Sequence, residues 1–237
     1  MTPGLAPGAA TLHVLRVFCA PDGSGGNPLG VFLDGAEVPE RERQAVARDL
    51  GYAETVFVED RERAELRIFT TEVELPLAGH PLVGSAWLLR EQGLDVTVLR
   101  PPAGECAVAF DDGLVRISAN PEWGPPFEFV QLDSPAAVDA LDGPPDGYGE
   151  VGCWAWIDEP AGLVRERVFV PEAGVDEDEA TGSAALRLCA LVGREIEIRQ
   201  GRGSVLHARP VGEGWAEVAG RVALDEVRPY PAAGGAA

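Results

Sequence analysis

Glu54 is a carboxylate placed where a carboxylate is costly. It lies in Gly51-Tyr52-Ala53-Glu54-Thr55-Val56-Phe57-Val58, between a helical pattern and an apolar strand. Apolar surroundings disfavour the charged form and raise a carboxyl pKa. Moving a glutamate from about 4.3 to about 6.5 is roughly 3 kcal/mol of differential destabilisation, and it suits general acid–base work near neutral pH. The alternative is a strand-edge glutamate pointing to water. A second segment, Glu74-Leu75-Pro76-Leu77-Ala78-Gly79-His80-Pro81, leads into an apolar stretch. Its prolines stiffen the loop, Gly79 permits a tight turn, and His80 falls at a helix mouth, as a functional imidazole or a satisfied structural one. The third segment is Asp176-Glu177-Asp178-Glu179-Ala180-Thr181-Gly182-Ser183. Acid followed by T-G-S reads as an N-cap. A helix start of this kind also offers free N–H groups and a favourable dipole to a carboxylate.

Composition removes several other chemistries. All nineteen basic residues are arginine, so a lysine Schiff base, ordinary pyridoxal-phosphate chemistry and a lysine-bearing phosphate loop are excluded. Cys19, Cys106, Cys153 and Cys189 form no C-x-x-C pair and sit among apolar neighbours, as buried small hydrophobes do. His13, His80 and His207 are far apart and make no H-E-x-x-H, so no metal site is expected. A net charge of -20 repels phosphate backbones and argues against nucleic acid as a partner. No run of about 18 apolar residues occurs, so no membrane span is expected. Residues 1–10 and 231–237 read as tails, and the cytoplasm is the expected location.

The elements that must position these residues form a pattern repeated twice. Leu12–Phe18, Leu29–Leu33, Thr55–Glu59 and Ala64–Thr70 read as strands, and Pro39–Leu50 as an amphipathic helix. Gly84–Arg90 is apolar on every side and reads as a buried helix stopped by Gly93. Val96–Leu99, Glu105–Phe110 and Leu114–Ser118 follow as strands, the last two joined by an Asp111-Asp112-Gly113 hairpin turn. Asn120–Pro126 reads as a linker. Beyond it, Phe127–Leu132, Gly152–Ile157 and Leu163–Val170 are strands, Ser183–Val192 is a second apolar helix, and Glu195–Gln200, Ser204–Arg209, Trp215–Val218 and Arg221–Val227 are strands. Both apolar helices contain G-S-A, at Gly84-Ser85-Ala86 and Gly182-Ser183-Ala184, about a hundred residues apart. The expectation is an α+β fold of two similar lobes, 11–119 and 127–230. Each lobe is a curled, mostly antiparallel sheet around a central helix, with the active cleft between lobes. The C-terminal strand is free to pack on the N-terminal lobe.

These segments, in this order, resemble the PhzF-like isomerases, which share the diaminopimelate-epimerase fold. The resemblance runs through F-x-x-P-x-G-x-x-G-N-P at Phe18–Pro28, A-E-T-V-F-V from Ala53, and R-I-F-T-T-x-x-E-L-P-L-A-G-H-P from Arg67. It continues with D-E-A-T-G-S-A from Asp178 and ends with Q-G-R-G-S from Gln200. It implies that Glu54 takes a proton from one carbon of a small unsaturated carboxylate and returns it elsewhere on the conjugated system. His80 and Asp178 would hold polar groups and relay protons. Gly79, Asn27, Thr181, Gly182 and Ser183 would hold the substrate, its carboxylate at the helix start. It further implies a cofactor-independent enzyme of secondary metabolism, a small carboxylate as substrate, and a homodimer. Ala53, Thr71 and Glu179 depart from the family's usual serine, proline and proline, and the second half is short by family standards; the substrate is left open between anthranilate-like rings and pyrroline carboxylates. A two-cysteine racemase on the same fold would need opposed thiols at the helix mouths, which hold His80 and Asp178–Ser183 instead. A non-catalytic carboxylate-binding or regulatory protein on the same fold is the other alternative.

Overall fold

A computed structural model describes residues 9–171 and 175–231. In chain order the elements are β1 (Ala9–Cys19), β2 (Asn27–Phe32), α1 (Glu40–Leu50), β3 (Glu54–Asp60), β4 (Glu65–Phe69), β5 (Glu74–Leu75) and α2 (Gly79–Glu91). There follow β6 (Val98–Leu99), β7 (Cys106–Asp111), β8 (Leu114–Ala119), β9 (Glu128–Gln131), α3 (Pro135–Asp139), β10 (Val151–Asp158), β11 (Leu163–Val170) and β12 (Val175–Asp178). The chain ends with α4 (Gly182–Val192), β13 (Ile196–Gln200), β14 (Ser204–Gly212) and β15 (Trp215–Pro231).

The strands form one open mixed sheet in the order β5-β4-β3-β2-β1-β15-β14-β13-β11-β10-β9, with β12 on β11 and a β6-β7-β8 branch joined to β15. Pairing is antiparallel except at β2–β3, β9–β10 and β11–β13. The few helices differ in character. α1 buries Arg43, Val46 and Ala47 on one face and stops at Gly51, whose φ of 68° only glycine adopts without strain. α2 and α4 bury nearly their whole first two turns, as their all-round apolar sequences require. α2 packs against β1, β2, β3, β8 and β15, while α4 packs against β14 and β15. Leu82, Val83, Ala86, Leu88 and Leu89 of α2 share one core cluster with Ala185, Leu186 and Leu188 of α4.

Four expectations are corrected. The helix expected at Gly84 begins at Gly79, because Pro81 falls in the first turn, where a missing N–H costs nothing. The two strands expected after Trp215 are a single strand, β15. It runs on through Gly220, where a Cβ would collide with the Phe18 ring. Its first part pairs with β14 and β8, and its remainder pairs with β1. The linker Asn120–Pro126 holds a 3-10 turn at Pro121–Trp123, with the Asn120 side chain accepting from Glu122 N–H. Finally, Ala9, Ala10 and Pro231 are not tail: they pair across β1 and β15, Ala9 opposite Pro231. The rest of the expected tails, residues 1–8 and 232–237, lies outside the described residues.

Candidate functional site

Glu54 is the first residue of β3 and sits opposite Leu29 of β2 in parallel register. Gly51 turns the chain out of α1 just before it, so the carboxyl is set at the sheet's end rather than along its face. Its side chain is 13% exposed, and Oε2 lies 3.1 Å from Nδ1 of His80. That distance is close but the groups are not aligned as a hydrogen bond, and Oε2 and His80 Nε2 have no partner. The strand-edge alternative pointing to water is therefore set aside. Burial, and secondarily the negative charge of Asp178, push the Glu54 carboxyl well above the usual carboxylate range. Burial lowers His80 to about 3, against a smaller opposing pull from a hydrogen bond to the Pro28 carbonyl, so the imidazole is neutral.

Asp178 ends β12 and is held on both oxygens. Asn27 Nδ2 donates to Oδ1 at 2.7 Å and Thr181 Oγ1 donates to Oδ2 at 2.7 Å. Burial raises Asp178 to about 6, and those two hydrogen bonds, which favour the ionised form, work against the rise. Thr181 stands at the N-cap of α4, but its side chain makes no capping bond. The expected N-cap is thus a cap in position and not in bonding: the hydroxyl is spent on Asp178. The first turns of α2 and α4 meet there. A Cβ on Gly182 would fall 2.8 Å from Gly79 Cα, which is why both positions are glycine. Two positive helix ends converge on one spot, an arrangement that favours an anion.

A cavity of about 740 Å³ opens onto this spot. Glu54, Asp178, Thr181 and Ser183 line its polar side, and Val73, Leu75, Trp123, Phe127 and Val170 are among its apolar walls. No arginine is among the lining residues described. His80, Gly79, Gly182 and Asn27 stand behind the lining: His80 is 2% exposed, and the Asn27 amide is occupied by Asp178 and by the Ala180 carbonyl. The eight residues singled out in the sequence are therefore brought together, four on the wall and four supporting it. The four cysteines are buried, free and absent from the lining.

Sequence reasoning missed two parts of the site. The apolar wall from Trp123 to Phe127 comes from the segment read as a linker, Asn120–Pro126, and from Phe127 at the start of the strand read after it; the Trp-Gly-Pro-Pro-Phe composition was the available signal. Gln200 reads in the sequence only as the end of a strand and the start of Q-G-R-G-S. It is 1% exposed and bonds Thr181 N–H, Thr181 Oγ1 and the Asp178 carbonyl. Next to it, Glu179 accepts from Arg202 N–H and Ser204 Oγ, and Ser204 Oγ accepts from Gly26 N–H, tying the loop before Asn27 to the loop after Gln200.

The profile of the phenazine biosynthesis-like protein family, PhzC-PhzF, matches residues 16–137. A trans-2,3-dihydro-3-hydroxyanthranilate isomerase from Pseudomonas aeruginosa is 33% identical over 245 residues, covering 80% of this chain and 86% of that protein. A PhzF-family phenazine biosynthesis protein from Bacillus anthracis superposes with a TM-score of 0.78 at 18% identity, covering 94% of this chain and 99% of that one. A predicted epimerase from Pseudomonas aeruginosa superposes with a TM-score of 0.75 at 23% identity, covering 93% and 99%. No helix among the described residues is long and apolar enough to cross a membrane.

Proposed function

This chain belongs to the phenazine biosynthesis-like protein family and is an isomerase, and on that premise we propose that it shifts a proton within a small unsaturated carboxylate by acid–base catalysis at Glu54. The observation that carries the reading is Glu54 itself: a poorly solvated carboxyl facing a cavity, 3.1 Å from a neutral imidazole, at the meeting point of two helix starts.

In this reading the substrate carboxylate docks at the start of α4, on the N–H groups of its first turn and the Ser183 hydroxyl. With no arginine among the lining residues described, those groups are its anchor. The ionised form of Glu54 is a strong base because it is desolvated, and a pKa near the working pH balances that basicity against its population. A C–H bond of the substrate breaks, its electron pair delocalises through the conjugated system toward the anchored carboxylate, and the double bond moves. Glu54 then returns the proton to a different carbon, so no atom or electron is gained or lost. His80 stands behind the Glu54 carboxyl at 3.1 Å and limits where it can move. Asp178, ionised, keeps the Glu54 proton affinity high.

The finer architecture belongs to the same proposal: two lobes, 11–119 and 127–230, centred on α2 and α4, with the cleft between them. So do a homodimer in the cytoplasm and chemistry without metal or coenzyme. The test uses trans-2,3-dihydro-3-hydroxyanthranilate, the compound in the relatives' name, and its pyrroline carboxylate counterparts in deuterated water. Deuterium enters a substrate carbon with the wild-type protein and not with Glu54→Gln. Deuterium uptake that persists in Glu54→Gln overturns the assignment of the proton carrier.

A further inference from the structure

Thr181 has one hydroxyl proton and two uses for its oxygen. At an N-cap a threonine oxygen ordinarily accepts from the N–H groups of the first turn, worth about 1 kcal/mol to the helix. Here it makes no such bond. Instead it donates to Asp178 Oδ2 at 2.7 Å and stands 2.9 Å from Gln200 Nε2. The orientation of the Gln200 amide is fixed by its other contacts. Oε1 is 2.9 Å from Thr181 N–H, which can only donate, and Nε2 is 3.0 Å from the Asp178 carbonyl, which can only accept. The atom facing Thr181 Oγ1 is therefore a donor, and the hydroxyl proton has nowhere to go but the carboxylate.

We propose that Gln200 is a positioning residue of the active site: through the Thr181 hydroxyl it directs a proton at Asp178 and keeps that oxygen from capping α4. Two consequences follow from one buried amide. Asp178 receives a donor on each oxygen, from Asn27 and from Thr181, and holds its negative charge beside Glu54. The first-turn N–H groups of α4 stay open to the substrate, beside the unpartnered His80 Nε2 and Glu54 Oε2.

The groups around Asp178 set what a titration sees. Glu54 comes from β3, His80 from α2, and Glu179 follows in the chain; Arg167 on β11 is committed to Glu177. The inference rests on Asp178 belonging to the active site, but its test needs no substrate, so failure of the relay and failure of the functional reading are separate results. Protein labelled with carbon-13 in the aspartate and glutamate carboxyls is titrated by NMR as wild type, Gln200→Met, Thr181→Val and the double variant. In Gln200→Met the Asp178 midpoint rises by about one pH unit and the Glu54 midpoint falls, since the neighbouring charge is weaker. Thr181→Val shifts both in the same directions, and the double variant shifts no further than Thr181→Val alone. Where Gln200→Met does not fold, Gln200→Asn keeps the amide but withdraws it from Thr181 and serves in its place. Midpoints unchanged in the Gln200 variant, or a Gln200 effect of equal size in the Thr181→Val background, overturn the proposal.

Discussion

A Cβ placed on Gly79 would lie 2.6 Å from the carbonyl carbon of Gly182, so the first turns of α2 and α4 meet backbone against backbone. Neither partner is a flexible side chain that could swing away. Gly79→Ala therefore forces the helix starts apart and is expected to destabilise the fold by about 1–3 kcal/mol, the usual cost of overpacking. Urea denaturation checks it. Isomerase turnover should fall further than stability explains, because the shift separates His80 from the start of α4.

Glu54→Gln keeps the shape of the side chain and removes its proton traffic. Turnover is expected to drop by about 10²–10⁴, the usual contribution of a general acid–base, with little change in KM. Steady-state kinetics on a turned-over substrate decides it. A rise in KM at unchanged kcat would make Glu54 a binding group.

Ser183 lines the cavity at the start of α4 and is 5% exposed. Ser183→Ala is expected to raise KM about tenfold, the loss of one hydrogen bond to a charged group, while kcat changes less.

Glu166 is fully buried on β11, with neither carboxylate oxygen partnered, and burial lifts it to about 8. It is not among the cavity-lining residues. A carboxyl raised on folding binds its proton more tightly in the native state. Its contribution is therefore intact below the ordinary glutamate pKa and is lost as pH climbs to about 8. Asp178, raised to about 6, acts in the same sense over a narrower window. His80, lowered to about 3, acts oppositely: the unfolded chain takes its proton first as pH falls below about 6.5, so stability drops on the acid side. Between pH 6.5 and 8 the remaining fall is shared by the two buried carboxyls raised furthest, Glu166 and Glu54, and only the Glu166 part disappears in a variant that leaves the cavity intact. The variant Glu166→Gln is expected to remove about 1.5 kcal/mol of that difference, one proton over one and a half pH units. Denaturant midpoints at the two ends of that interval measure the effect.

Much of the site was legible because chemistry constrains residue type. Glu54 beside Phe57, glycine before His80, and acid before T-G-S each announce a local demand. What escaped the sequence depends on distant partners. Gln200 looks like any polar strand residue until β13 brings it under Thr181. Glu166 shares its strand face with Val164 and Val168, so the alternation points it inward; what the sequence does not show is that neither of its oxygens meets a partner there. Pro81 reads as part of a stiff loop and is a first-turn residue of α2. Gly220 falls between the two strands read at Trp215–Val218 and Arg221–Val227, and only the Phe18 ring shows why a glycine carries one strand through that point. α3 carried a usable signal in Ser134-Pro135, and the Ser134 side chain indeed accepts from Ala137 N–H.

β15 is paired at its start with β14 and β8 and at its end with β1. For a ribosome this sets a late deadline. Until β15 emerges, β1 presents a bare edge of N–H and C=O groups, and a nascent chain stalled short of Trp215 would carry three unsealed sheet margins, on β1, β8 and β14, open to mispairing. β1 must wait for β15, far away along the chain, so assembly should be slow and exposed to aggregation until β15 is made.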